Sequence, residues 1–247
     1  MLEKMQGTPL GECWYTAFQV IGIAVAVLFG LWYQRKYICS IWKSPLTLVF
    51  VYTMIFIWVN VHFMIETGFT GMGTRSIVRA LPYLPVIAFP PAVLLKIKWR
   101  KVCDFLAPII CLSTGISLFG CVFAGCCGGY PSKFGIYSFY YGGNAFPIQI
   151  IEAVAVLMLC LFLLLWNKRR GYNGEGYSLP IMFIIFGSTR FLWEFLRNNE
   201  KIWLGCSALS FHALFMAAVG AVWLFVMRKD LNKSIDSKKT KKMKKRR

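Results

Sequence analysis

The sequence predicts an all-α, polytopic membrane protein of seven transmembrane helices, with its amino terminus outside and its basic carboxyl-terminal tail in the cytoplasm. Three observations point there. Of the 247 residues, 57% are hydrophobic and only 15% charged, and the mean hydropathy of +0.58 is well above that of a soluble domain of this size. Several apolar runs approach twenty residues, the length at which a helix rising ~1.5 Å per residue crosses a hydrocarbon core of ~30 Å. Lysine and arginine collect in alternate connections between those runs. A closed barrel would need short alternating segments, whereas these runs are apolar on every side.

The first span, residues 14–34, ends in GLWYQRK, an interfacial stop rather than a cleavage site, so it is read as a retained helix and not a signal peptide. The second covers 45–65. The third, 77–97, carries Pro82, Pro85, Pro90 and Pro91, which remove backbone donors and break a helix. Irregular backbone at membrane depth must be buried in protein or line a wet cavity, so this span is placed inside the bundle. Spans at 103–124, 147–166, 179–197 and 205–227 complete the set. Connections after spans one, three and five hold Arg35, Lys36 and Lys43, then Lys96, Lys98, Arg100 and Lys101, then Lys168, Arg169 and Arg170. The others hold Arg75, Lys133 and Lys201 and little else, which puts the odd connections inside.

Residues 1–230 are read as one membrane domain and 231–247 as a disordered cytoplasmic tail. The net charge of +18 suggests nucleic acid only until it is located: eleven of the 28 basic residues lie between Arg228 and Arg247. No aromatic residue interleaves that run, so no nucleic-acid partner is expected. Contact with anionic lipid, at about 1 kcal/mol per basic residue near the surface, fits it better.

The informative residues are ionisable groups inside apolar runs, each costing at least ~2.5 kcal/mol at a helix centre unless it meets a partner or a cavity. Arg190, Glu194 and Arg197 are spaced i, i+4, i+7, which predicts one polar stripe down the sixth span. Glu152 lies near the outer start of the fifth. All four fall in the outer half of the bilayer, the layer reached by GCVFAGCCGGYPS, where Gly120, Gly125, Gly128 and Gly129 permit close backbone approach. One reading is a structural ion pair that fixes helix register. The other is a phosphate site, since guanidinium groups and free backbone donors suit a lipid phosphate at that depth.

Cys39 is expected inside, and Cys103, Cys111 and Cys160 read as small apolar residues. Cys121, Cys126 and Cys127 sit together at the outer end of the fourth span. Packing or a disulfide, a role at the lipid site, and metal or redox chemistry are all open there, although the spacing is not that of a zinc pair and His212 is remote. No metal or cofactor is expected. His62 and His212 read as core residues.

In order, DFLAP from Asp104, GCVFAGCCGGYPS, FPIQIIEA from Phe146, RFLWEFLR from Arg190 to Arg197 and LSFHAL from Leu209 resemble the motifs of the prolipoprotein diacylglyceryl transferase family of bacterial inner-membrane enzymes. The resemblance covers about residues 100–227. It implies a multi-pass protein of the bacterial plasma membrane. It also implies transfer of the diacylglyceryl group of phosphatidylglycerol, or another anionic phospholipid, to the thiol of a lipobox cysteine in a precursor protein. Under that resemblance Arg190 holds the phosphate, Glu194 orients that arginine, and Glu152 with Gln149 forms the neighbouring wall. Gly120, Gly125, Gly129 and Arg197 would line the lipid site.

The chain departs from the family where it usually carries an arginine, two asparagines and a glutamate; the matching positions are Leu118, Cys121, Ala124 and Cys126. The usual histidine is Phe146, and the tyrosine before the glutamate is Ile151. Three functions are therefore weighed: a transferase on lipoproteins or another acceptor, a lipid-binding accessory protein without catalysis, and a transporter or thiol-dependent membrane protein.

Overall fold

The computed structural model describes residues 2–37, 42–66, 68, 76–197 and 206–244. Cys39, expected inside, and Arg75 and Lys201, used above for sidedness, lie outside the described residues. Within them the chain is a mostly helical, polytopic membrane protein.

Helix α1 (Pro9–Tyr37) is followed by α2 (Lys43–Glu66). The proline-rich third run is broken as expected, into 3-10 turns at Ile77–Arg79 and Leu81–Tyr83 and short helices α3 (Leu84–Ile87) and α4 (Phe89–Leu94). Helix α5 (Trp99–Ala124) is the axis of the bundle, with α1 and α6 (Ile148–Arg169) packed along it. Helices α7 (Ser178–Glu194) and α8 (Ala208–Lys244) pair with each other, and the apolar part of α8 ends at Lys229. One continuous apolar core runs from Tyr33 and Leu48 through Phe105 and Ile109 to Leu163 and Phe183.

Two expectations need correction. The run expected at 179–197 is a helix of 17 residues, about 26 Å at 1.5 Å per residue, and it stands beside six longer helical segments that, among the described residues, are long and apolar enough to span a bilayer. It stops at Glu194, so Arg197 stands beyond the helix instead of on its stripe. The fold is also not purely helical. Between α5 and α6 the chain forms an antiparallel hairpin of β1 (Pro131–Ser138) and β2 (Gly143–Ala145). The aromatic, glycine-rich stretch FGIYSFYYGGN favours strands and turns, a signal invisible to hydropathy windows.

Local chemistry explains the helix ends that position the site. Gly125, at φ 75°, closes α5 in the left-handed conformation and turns the chain back across the helix end. At the opposite end of α5, the buried Asp104 carboxylate accepts from the backbone N–H groups of Gly176 and Ser178, each at 2.7 Å. It thereby caps the start of α7 from another helix. Ser207 and Ser210 exchange backbone-to-hydroxyl bonds at the start of α8. His62 and His212 face each other edge-on at 5.5 Å, within an aromatic cluster that includes Trp58 and Tyr83.

Candidate functional site

Four charged side chains from α6 and the end of α7 form one buried network. Arg190 Nε lies 3.2 Å from Glu152 Oε1, and Arg190 Nη1 lies 2.8 Å from Glu194 Oε2. Arg197 Nη2 pairs with the other Glu152 oxygen. None of the four residues exceeds 3% exposure. Two cations against two anions leave the cluster neutral, which is how a low-dielectric interior tolerates it. Ser207 donates to Glu194 Oε1 at 2.6 Å and ties the start of α8 to the same point.

The Arg190 contacts are ion pairs by distance, but neither Nε nor Nη1 has a partner in hydrogen-bond geometry. A buried guanidinium whose donors are aimed off its carboxylates is electrostatically compensated and geometrically unsatisfied. Its Nη2 stands outside both ion pairs.

The glycine-rich segment closes over the network. Gly129 donates to Phe146 O at 3.1 Å and Tyr130 to Leu196 O at 3.2 Å, so Gly129 and Arg197 pair as an isolated antiparallel bridge. A Cβ at Gly129 would stand 2.8 Å from Phe146 O and 3.0 Å from Leu196 O, so only glycine lets these three chain segments meet. Gln149 is buried and donates from Nε2 to Cys126 O at 2.9 Å, holding the turn after α5 against α6.

Of the residues singled out from sequence, Glu152, Arg190, Glu194 and Arg197 meet directly, and Gln149 and Gly129 support them. Gly120 and Gly125 face elsewhere. A Cβ at Gly120 would meet Tyr15 O and Phe18 of α1, so this glycine serves helix packing; at Gly125 it would meet Gln6.

Three contributors were not read from sequence. Gln6 is buried, donates to Val122 O and Tyr137 O, and accepts from the Phe139 N–H, each at 2.8 Å. It clasps the amino-terminal segment, the end of α5 and the hairpin together, and nothing local marks it. Ser207 is likewise ordinary in sequence. Arg79 is different: it is an arginine 5% exposed inside the third apolar run, the very signal used to select Arg190. Its neighbour Val78 packs against Phe191, Leu209 and Ala213, which sets the Ile77–Arg79 turn beside the helix that carries Arg190.

Cys121, Cys126 and Cys127 come together as well, with free thiols and all three Sγ atoms within 4.8 Å of one another. Cys127 has φ 60°, a conformation that costs a side-chain-bearing residue about 1 kcal/mol or more. Hydrogen bonds from Cys121 and Cys126, and beyond them the Arg197 and Arg190 guanidinium groups, hold the Cys127 thiol well below its usual range against the effect of burial. At Cys126 the hydrogen bond with Cys121 favours the thiolate, but hydrogen bonding with Cys127 and burial outweigh it and push this thiol up to about 12.

Comparison with known proteins adds what geometry cannot. The family profile described as prolipoprotein diacylglyceryl transferase matches residues 80–227, reaching further toward the amino terminus than the motifs quoted above. A phosphatidylglycerol–prolipoprotein diacylglyceryl transferase of Clostridium tetani is 31% identical over 108 residues, 41% of this chain and 43% of that protein. The protein named phosphatidylglycerol–prolipoprotein diacylglyceryl transferase 2 of Clostridium perfringens is 28% identical over 144 residues, 55% of this chain and 56% of that protein. This chain thus spans about half the length of the curated relatives it matches.

Proposed function

Since this chain belongs to the prolipoprotein diacylglyceryl transferase family, we propose that it transfers a diacylglyceryl group from phosphatidylglycerol to a cysteine thiol of a lipobox-containing precursor. The two relatives above carry phosphatidylglycerol and prolipoprotein in their names. The reaction joins the acceptor sulfur to the glyceryl carbon, breaks that carbon's bond to the phosphate oxygen and releases glycerol 1-phosphate. Two demands follow: a deprotonated thiol and fixed cations for the departing phosphate in a water-poor site.

The observation that carries the proposal is Arg190, a buried guanidinium with its charge balanced and its Nε and Nη1 donors unsatisfied in geometry. A phosphate oxygen entering this layer would accept from Arg190 while Glu194, one helical turn away, holds the guanidinium in place. Arg79 is a further buried arginine, on a turn packed beside α7, and Arg197 with Glu152 anchors the wall. The same reading takes residues 178–194 as a seventh, short span. It places the glycine-rich segment and the amino terminus outside and the basic tail inside a bacterial plasma membrane, and it treats 231–247 as a tail separate from the membrane domain.

The test uses membranes from cells expressing the full chain, labelled phosphatidylglycerol and a lipobox peptide. Expected are a thioether-linked diacylglyceryl peptide, release of glycerol 1-phosphate, and at least a 100-fold loss in Arg190→Ala, the effect of about 2.7 kcal/mol of lost transition-state stabilisation. Unaltered turnover in Arg190→Ala would return the network to a purely structural role. A transferase with another acceptor, or an accessory lipid-binding protein, is then separated by whether any supplied thiol or alcohol takes the label.

A further inference from the structure

The proposed transfer needs an activator for the acceptor thiol, and the ion-pair network provides none: its two carboxylates are engaged by arginines and Ser207. Among the described residues, the thiol cluster beside it is a group of nucleophilic side chains the site has not used. Its geometry is that of a ligand set. With Zn–S bonds of about 2.3 Å, two sulfurs on a tetrahedral zinc stand about 3.8 Å apart. The three Sγ atoms lie within 4.8 Å of one another, so adjustments of less than about 1 Å bring them onto one ion.

The backbone is organised to produce this convergence. Cys121 lies on the last turn of α5; Gly125 in the left-handed conformation reverses the chain; Cys127, itself at positive φ, turns its thiol back toward Cys121. Gln149 fixes the carbonyl of Cys126. Cys121 is buried, whereas Cys126 and Cys127 keep part of their residue surface accessible.

We propose that Cys121, Cys126 and Cys127 form a three-thiolate site for a thiophilic cation of the zinc class, whose open fourth position takes the acceptor cysteine as a thiolate. The second half of this rests on the transferase reading; the first does not. Three protein ligands with one open position is the arrangement of catalytic rather than structural zinc, and thiolate ligands select soft cations over magnesium or calcium. Coordination of the acceptor thiol releases its proton to water. The sulfur lone pair then forms the carbon–sulfur bond, the carbon–oxygen bond breaks with its electron pair leaving on the phosphate oxygen beside Arg190, and the thioether product is the weaker ligand and departs. Nothing is oxidised or reduced.

The experiment uses the full chain, purified under reducing conditions in detergent, with cobalt(II) as spectroscopic probe and zinc as competitor. Expected is about one cobalt per chain with thiolate-to-cobalt charge-transfer absorption, displaced by zinc, strongly reduced in Cys121→Ser and Cys126→Ser, and unchanged in Cys13→Ser. Absence of charge-transfer absorption in the reduced wild-type chain overturns the site, as does absorption that survives both cluster variants. A lipobox cysteine peptide should intensify the band and its serine counterpart should not; no response to the cysteine peptide overturns the acceptor role. Stripping the metal should slow transfer about 30-fold at pH 7, the ratio of full to few-per-cent ionisation for a thiol of pKa ~8.5. Transfer undiminished without metal overturns thiol activation and leaves the transferase reading intact, whereas bound metal and a responding peptide with no transfer supports the site and sinks that reading.

Discussion

Replacing Glu152 by glutamine removes the one carboxylate that both Arg190 and Arg197 share, while keeping the shape of the side chain. The buried cluster then holds two guanidinium groups against Glu194 alone. At the 3.2 Å separation from Arg190, an effective dielectric of about 20 makes one such attraction worth about 5 kcal/mol. Desolvation already offsets part of that, and the amide oxygen still faces one arginine, so the expected net cost is about 3 kcal/mol, near the lower end for breaking a buried pair. For a domain of this size that corresponds to a fall in Tm of about 6–12 °C. The assay is a thermal melt of the detergent-solubilised chain, repeated for Arg197→Met and for the double variant. Removing both a buried anion and a buried cation restores neutrality, so the double variant should recover at least half of the Glu152→Gln loss. Strictly additive losses, or a Glu152→Gln shift below about 1 °C, would refute the shared-carboxylate account. Transfer measured on the double variant then separates roles: recovered stability without recovered turnover assigns Glu152 or Arg197 to the reaction.

Further perturbations test the scaffold around the network. Gly129→Ala places a methyl group 2.8 Å from Phe146 O, so it should cost about 1–3 kcal/mol by melt and cut transfer, because the loop can no longer meet both α6 and the end of α7. Asp104→Asn leaves only one oxygen for the two backbone N–H groups at the start of α7, an expected loss of about 1.5–3 kcal/mol that a glutamate does not rescue. Gln6→Ala removes three hydrogen bonds at once, and hydrogen exchange at the Phe139 amide should accelerate while α5 amides near Ile109 stay protected. Arg79→Met should raise the KM for phosphatidylglycerol if Arg79 helps to hold the phosphate; an unchanged KM would confine that buried arginine to a structural role.

Much of the fold was legible because a bilayer imposes a one-dimensional rule. Length and hydropathy marked the spans, four prolines marked where the third would break, and charges misplaced in apolar runs marked Arg190, Glu194 and Glu152. What failed were features that depend on chain reversal. The i, i+4, i+7 spacing placed Arg197 on a helical stripe, yet the helix ends at Glu194, and Arg197 reaches Glu152 because the chain there pairs with Gly129. The hairpin went unread because hydropathy windows do not weigh turn chemistry. Arg79 was readable by the rule that found Arg190 and was passed over within the irregular third span.

By itself, then, the sequence determined the solvent of this protein, most of the apolar runs long enough to cross it and the family whose motifs it carries, since each is written in local composition or in order along the chain. Only the tertiary structure decided that Glu152 serves two arginines, that Gln6 clasps the far end of α5, and that three cysteines with no recognisable ligand spacing bring their sulfurs within 4.8 Å. Those facts depend on where a left-handed glycine turns the backbone and on which helices pack together, and both come from contacts between residues far apart in the chain.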